Sequence, residues 1–335
     1  MHAISVVIPT FNAGSFIGET LASVFAQTRL PREVIVVDDA SSDGTPDLVQ
    51  AMVEKSPVRL LLVRLQVTSG GPATPVNVGI SHSASSYVSL CEQDDRMLPQ
   101  KLEMLSKCVS YEPALGLVIS RYRVVGDNSP EIRDSVQDDT YSQFESMPKR
   151  HLGGPFYYFE SRAAYRAALE RCYAVSLSNM LISKEAWASL GGLDECIRAV
   201  ADHDFLLRLS RKYLIGWVDE PLWEYRRHRA SLVRSTPACR FAEDYGRIWL
   251  RQLKVSACPE ERAAVSGLLR QNRLDRAYHD REASKYISSL AWYGRSIWET
   301  GPSVAAAVGI AKLFPHFLVR RFVSYGTKRS GGLRV

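Results

Sequence analysis

The stretch SYVSLCEQDDRMLPQKLE, residues 86–103, joins two patterns that one element cannot satisfy. SYVSLC (86–91) is a short apolar and β-branched run, the pattern of a buried strand, whereas Pro99 followed by Leu102, Leu105 and Val109 supplies the opening proline and apolar stripe of a helix. Between them stand Glu92, Gln93, Asp94 and Asp95. Carboxylates this close repel one another and resist dehydration, so a chain keeps them in solvent or around a cation.

Reading outward from this strand, turn and helix, the first 125 residues alternate short β-branched runs with amphipathic segments, which predicts βαβ units and a mostly parallel sheet flanked by helices. Strands are expected at ISVVIP (4–9), EVIVVD (33–38), VRLLLVR (58–64), SYVSLC (86–91) and LGLVISRYRVV (115–125). Ile17, Leu21, Val24 and Phe25 fall on one face of a helix between the first two. Polar turns follow the strand ends at TFNAG, DDASSDG and EQDD. In an open parallel sheet, ligands bind at the carboxyl ends of strands, so these turns converge on one crevice. Residues 126–175 have no clear period and read as a long excursion, part of a substrate wall. A helix and then a strand are expected in ADHDFLLRLSRKYLIGWV, and from about residue 240 the chain reads as helical, with Phe241, Tyr245, Ile248, Trp249 and Leu253 on one face.

The 46% hydrophobic and 23% charged composition is that of a globular protein able to bury one large core or two modest ones. The six cysteines are widely spaced, without a CxxC pair or zinc spacing, which suits reduced thiols in a cytoplasmic protein. MHAISVVIPTFN lacks the basic region and long apolar core of a signal peptide. After Glu299 there is no acidic residue, whereas Lys312, Arg320, Arg321, Lys328, Arg329 and Arg334 equal the whole excess of 42 basic over 36 acidic residues. A domain-wide nucleic-acid surface is therefore not expected; a basic tail is. VAAAVGIAKLFPHFLVRRFVSY (304–325) is too interrupted to span a membrane, which takes about 20 predominantly apolar residues. It suits either an interfacial segment on anionic lipid at the inner face of the cell membrane or a helix docked on the protein's own core.

No GxGxxG follows the first strand and no P-loop is present, so another chemistry uses these strand ends. SVVIPTFN, EVIVVDDASSDGT, GGPATPVNVGI, SYVSLCEQDDRMLPQKLE, GGLDE, ADHDFLLRL and EPLWEYRRHRASLV stand in an order that resembles the family 2 glycosyltransferases, over roughly residues 3–125 and 179–234. The resemblance implies an α/β GT-A fold in residues 1–235, a helical C-terminal extension in 236–335, and inverting transfer of a sugar. The donor it implies is a nucleoside diphosphate sugar, UDP-linked, and the acceptor a glycan or lipid-linked molecule, as in bacterial surface polysaccharide synthesis.

By the same resemblance, Asp95 is the ligand of Mg²⁺ or Mn²⁺ and Asp94 contacts the donor's ribose or sugar. Such cations prefer carboxylate and phosphate oxygens; the competing reading is a solvated helix N-terminus. Asp39 corresponds to the nucleobase contact, where a carboxylate accepts the imide proton of uracil or, equally, of thymine in a dTDP donor, against an Asx-turn role shared by Asp38, Ser41 and Asp43. Pro9 and Asn77 belong to the donor-binding motifs. Asp202 is the counterpart of the general base, against simple helix capping. Arg227 is assigned to the diphosphate and His228 to metal or phosphate, with a solvated basic strand end as the alternative. Three positions depart from the family pattern: Val76 precedes Asn77 where Arg is usual, Glu92 opens the acidic turn in place of Asp, and Ala201 precedes Asp202 in place of Glu. These departures keep in view a nucleotide-sugar or glycan-binding protein that no longer transfers.

Overall fold

A computed structural model describes residues 2–126 and 135–313. The chain divides into two compact units, Met1–Ser235 and Thr236–Val335. The first begins β1 (Ile4–Thr10), α1 (Ile17–Phe25), β2 (Glu33–Asp38), α2 (Thr45–Val53), β3 (Arg59–Arg64), α3 (Ala73–His82), β4 (Tyr87–Leu90), β5 (Arg96–Met97), α4 (Lys101–Tyr111) and β6 (Leu115–Gly126). It continues α5 (Ser135–Ser146), β7 (Arg150–Gly153), β8 (Phe156–Phe159), α6 (Ser161–Glu170), a 3₁₀ turn (Leu177–Asn179), β9 (Leu181–Ser183), α7 (Lys184–Leu190), α8 (Ala201–Ser210), β10 (Leu214–Arg227) and α9 (Leu232–Ser235).

All strands form one sheet in the order β3-β2-β1-β4-β9-β6-β10-β8-β7, with β5 paired to β10. β1, β2, β3 and β4 run parallel, as do β6 and β10. β9 inserts antiparallel between β4 and β6 and so joins the two parallel sets. Every residue of β1, β2 and β4 is buried, which explains why these strands read as continuous rather than alternating apolar runs. α3 lies close on the sheet because Gly79 has no side chain: a Cβ there would fall 2.4 Å from Val7 Cγ1.

Residues 150–170 are not an excursion. β7 and β8 form a hairpin that extends the sheet beyond β10, and α6 packs against α8. The hairpin escaped a periodic reading because its strands are four residues each and turn at the paired glycines Gly153, which ends β7, and Gly154, both at positive φ.

The second unit contains α10 (Ala238–Val255), α11 (Pro259–Glu282), α12 (Tyr286–Thr300) and α13 (Val304–Ala311). On α10 the expected apolar face buries Ile248 and Trp249. Ala277, Tyr293, Ala306 and Leu313 form a further small core, and Arg273 reaches Glu299 at 2.7 Å in a nearly buried pair. Among the described residues no helix is long and apolar enough to cross a membrane. Of the expected basic tail, Arg320, Arg321, Lys328, Arg329 and Arg334 lie outside the described residues.

Candidate active site

The acidic turn hangs from the carboxyl end of β4 and is fixed from several sides. Thr20 Oγ1 lies 2.8 Å from the Gln93 carbonyl and 2.9 Å from that of Asp95, so α1 holds the backbone of the turn. Phe11 N donates to Gln93 Oε1 at 2.6 Å, and Glu92 N donates to Ser178 Oγ at 2.8 Å. The Ser176 hydroxyl donates to Glu92 Oε2. Three carboxylates are therefore held together by the fold rather than left to separate in solvent.

Asp95 is 1% exposed. Its Oδ1 accepts Arg226 N of β10 at 3.0 Å, while Oδ2 is buried without a hydrogen-bond partner. Burial and the charges of Asp94 and Glu92 hold its carboxyl well above the usual carboxylate range. Burial and Asp94 likewise push Glu92 up to about 8, with a further contribution from Asp202 that the Ser176 hydrogen bond partly offsets. His228 Nε2 lies 2.7 Å from Asp94 Oδ2, its ring packs on Phe16 at 4.4 Å, and its Nδ1 is buried without a partner. The Arg226 guanidinium is held by Glu19 at 2.6 Å and lies over Phe16. Arg227, the last residue of β10, is exposed.

Asp202 enters from α8. The N-cap position is Val200, so Asp202 sits inside the first turn and is not the capping residue. The Cys172 thiol donates to Asp202 Oδ2 at 3.8 Å; that thiol is pushed well up by burial and by Asp202 itself, so it stays a protonated donor. Burial pushes the Asp202 carboxyl up to about 6, against the backbone N–H groups of His203 and Asp202 and the Cys172 contact, which favour the charged form. Its neighbours are structural. His203 Nε2 meets the Ala168 carbonyl at 2.7 Å, and Asp204 pairs with Arg208, which also reaches the Leu190 and Gly192 carbonyls.

The remaining predicted residues lie at the ends of β1 and β2 and on α3. Pro9 is buried in β1 beside Val37 of β2. Asp39 is 4% exposed, and its carboxylate accepts Ser69 N at 2.9 Å, Ser69 Oγ at 3.0 Å and Thr68 Oγ1 at 3.0 Å. Asp43 accepts Thr45 N at 3.0 Å and Gly14 N at 3.0 Å, so it closes the start of α2 and ties it to the first turn. Both ends of the Asn77 amide are engaged by the loop after α7: Nδ2 donates to the Leu193 carbonyl at 3.0 Å and Glu195 Oε1 at 2.9 Å, and Oδ1 accepts Leu193 N at 3.0 Å. The structure thus brings Glu92, Asp94, Asp95, Asp202 and His228 to one place, and sets Asn77 in the adjoining framework.

Sequence reasoning missed several members of this cluster. Lys101 is wholly buried, donates to the Ser178 carbonyl and is pushed down to about 8 by burial, against the charges of Cys91 and Asp95. A signal existed: Lys101, Leu105 and Cys108 share the buried face of α4. Tyr225 lies near the same acids, its hydroxyl pushed up by burial and by Glu92, Asp95 and Asp94. Cys172, Ser176 and Ser178 come from a segment without periodicity, and nothing in the sequence marks them.

Residues 5–173 match the family described as Glycosyl transferase family 2. The chain belongs to that family. An uncharacterized glycosyltransferase of Haemophilus influenzae is 24% identical over 248 residues, covering 72% of this chain and 75% of that one. The poly(ribitol-phosphate) beta-N-acetylglucosaminyltransferase TarS of Staphylococcus aureus is 31% identical over 134 residues, 39% of this chain and 23% of TarS. TarS residues 1–349 in complex with UDP-GlcNAc superpose with a TM-score of 0.65 at 18% identity, covering 99% of this chain and 93% of that one; against a longer TarS chain the match spans 50% of its length. The mannosyltransferase PcManGT of Pyrobaculum calidifontis, in complex with GDP-Man and Mn²⁺, superposes at 0.56 and 17% identity, over 98% of this chain and 84% of that one. These likenesses give this family 2 chain the GT-A fold, a mostly parallel sheet flanked by helices with a helical C-terminal region.

Proposed function

We propose that this family 2 chain transfers one sugar, with inversion, from a UDP-linked donor to a hydroxyl of a glycan or lipid-linked acceptor in bacterial surface polysaccharide synthesis. The observation that carries the reading is the pairing of a fixed acidic cluster, Glu92, Asp94 and Asp95, with a separate carboxyl, Asp202, whose proton affinity suits a base near neutral pH. The complexes of relatives with UDP-GlcNAc and GDP-Man support a nucleotide sugar as donor.

Among the described residues no group of three or more His, Cys, Asp or Glu side chains is disposed to hold a metal by itself. The acidic turn nevertheless fits Mg²⁺ or Mn²⁺ that takes its other oxygens from a diphosphate and water: Asp95 Oδ2 and His228 Nδ1 are buried without partners, and burial and Asp94 hold the Asp95 and Glu92 carboxyls above the usual range. Asp95 and His228 would hold the ion. Such an ion, when bound, offsets the negative charge that develops on the departing diphosphate. Asp94, anchored by His228, faces the donor's ribose or sugar; Asp39 and Pro9 line the base end, and Arg227 serves the diphosphate.

Asp202 takes the proton of the acceptor hydroxyl as that oxygen forms its bond to the anomeric carbon. The bond from that carbon to the diphosphate oxygen breaks on the opposite side, which inverts the configuration. A carboxyl near 6 is mostly ionised at pH 7 yet still basic enough to take that proton. Val76 is wholly buried in α3 and Ala201 is 2% exposed, so neither offers a polar contact, and the reading rests on Asp39, Asp94, Asp95 and Asp202, which these departures leave intact. The test is Asp202→Asn: turnover of UDP-sugar falls by about 10²-fold or more while nucleotide binding persists. Normal turnover in that variant removes the base assignment.

A further inference from the structure

α12 is apolar on both faces: inward, Tyr286, Trp292, Tyr293 and Ile297 pack around the small core of Ala277, Ala306 and Leu313. Its inward face buries Ser289, Tyr293 and Ser296, with Ser289 Oγ donating to the Ala277 carbonyl at 2.6 Å and Ser296 Oγ buried without a partner. Its outward face carries Ile287, Leu290, Ala291, Gly294 and Trp298, spaced three and four residues apart along one stripe. Ile287 is 75% exposed and Trp298 90% exposed. α13 likewise buries Ala306 and Gly309 and packs Ile310 against the same core, while Val304 is 81% exposed and Val308 47%. An exposed tryptophan and isoleucine along one stripe are unfavourable if the outer medium is water.

The charges around this stripe select the medium. Lys285 and Lys312 flank the two helices and are exposed. Of the nearby carboxylates, Glu299 is engaged by Arg273 at 2.7 Å and Arg295 at 2.8 Å, Glu282 by Arg281 at 3.0 Å, and Asp280 accepts the Ser288 hydroxyl at 2.5 Å. No acidic residue follows Glu299, and six basic ones do. A second copy docked face to face would bring these like charges together, which disfavours self-association. An anionic surface with an apolar interior satisfies both features, and tryptophan favours that boundary.

We propose that the outward faces of α12 and α13 lie in the interface of an anionic lipid membrane, with Trp298, Ile287 and Val304 entering the acyl boundary and Lys285 and Lys312 meeting the headgroups. The sequence alone places membrane contact on residues 304–325 and the basic tail; the exposed apolar stripe extends it to α12. This surface stands independently of the donor chemistry, and its test needs no turnover. The full-length chain is sedimented with vesicles of phosphatidylcholine, with or without phosphatidylglycerol, and tryptophan emission is followed with brominated acyl chains as quencher. Trp298→Ser with Val304→Ser is compared, with helicity by circular dichroism as the control on folding. The expected result is binding to phosphatidylglycerol vesicles that weakens with salt, quenching that Trp298→Phe largely removes, and partitioning about tenfold weaker in the double variant, whose basic tail is intact. Binding to neither vesicle, or equal binding by wild type and double variant, overturns the proposal. So does a concentration-dependent dimer in sedimentation velocity that buries Trp298 without lipid.

Discussion

Replacing Glu92 by Gln should stabilise the ligand-free protein, and only at alkaline pH. The isolated carboxyl titrates near 4.5 and the folded one near 8, because burial and Asp94 disfavour its charged form. The folded state therefore binds this proton more tightly than the unfolded state does, so stability falls as pH rises from about 4.5 towards 8. The penalty is nearly absent below that window and complete above it. From 8 − 4.5 = 3.5 pH units, at about 1.36 kcal/mol each, the ceiling is on the order of 5 kcal/mol. Asp94, Asp95 and Asp202 share the same repulsion and relax together, so the expected gain at pH 9 is about 2–3 kcal/mol, against under about 1 kcal/mol at pH 5. Gln preserves the shape and can still accept from the Ser176 hydroxyl. Urea unfolding of wild type and Glu92→Gln in EDTA at the two pH values measures the difference. An equal effect at both pH values, or none at pH 9, would refute the account of the turn as a strained acidic cluster.

Two further predictions follow from the same geometry. The kcat/KM of sugar transfer should rise with pH and level off above about 6, because Asp202 accepts a proton only when ionised; a flat profile from pH 5 to 8 contradicts this. Asn77→Ala should lower stability by about 1–3 kcal/mol, since three hydrogen bonds tying α3 to the loop after α7 are lost together; an unchanged thermal midpoint contradicts it.

Of the five strands expected from β-branched runs, β1, β2 and β4 are buried along their whole length, as a strand covered on both faces of a parallel sheet has to be, while β3 is the half-buried edge. β5, with two residues, exists only through its pairing with Trp223 and Glu224, partners more than a hundred residues away that no local pattern announces. The same limit governs the site. Glu92, Asp94 and Asp95 were visible as a crowded turn, and Asp202 as an acid opening a helix. Their effect on one another depends on burial by segments such as 172–178, which carry no periodic signal. Asn77 lay in a donor motif, yet its amide is bound to Leu193 and Glu195, a contact set by tertiary packing. Lys101 was hidden by its type, since a lysine at the start of a helix is usually solvated.

The most direct test of the central claim is a thermal-shift series with UDP, dTDP, GDP and CMP, each with Mn²⁺ or EDTA, on wild type and Asp95→Asn. A nucleotide at 100 times its dissociation constant should add about 2.7 kcal/mol of stability. The account predicts a UDP shift that requires Mn²⁺ and disappears in Asp95→Asn; a UDP shift that persists undiminished in EDTA or in that variant, or no shift with any nucleotide, would contradict it.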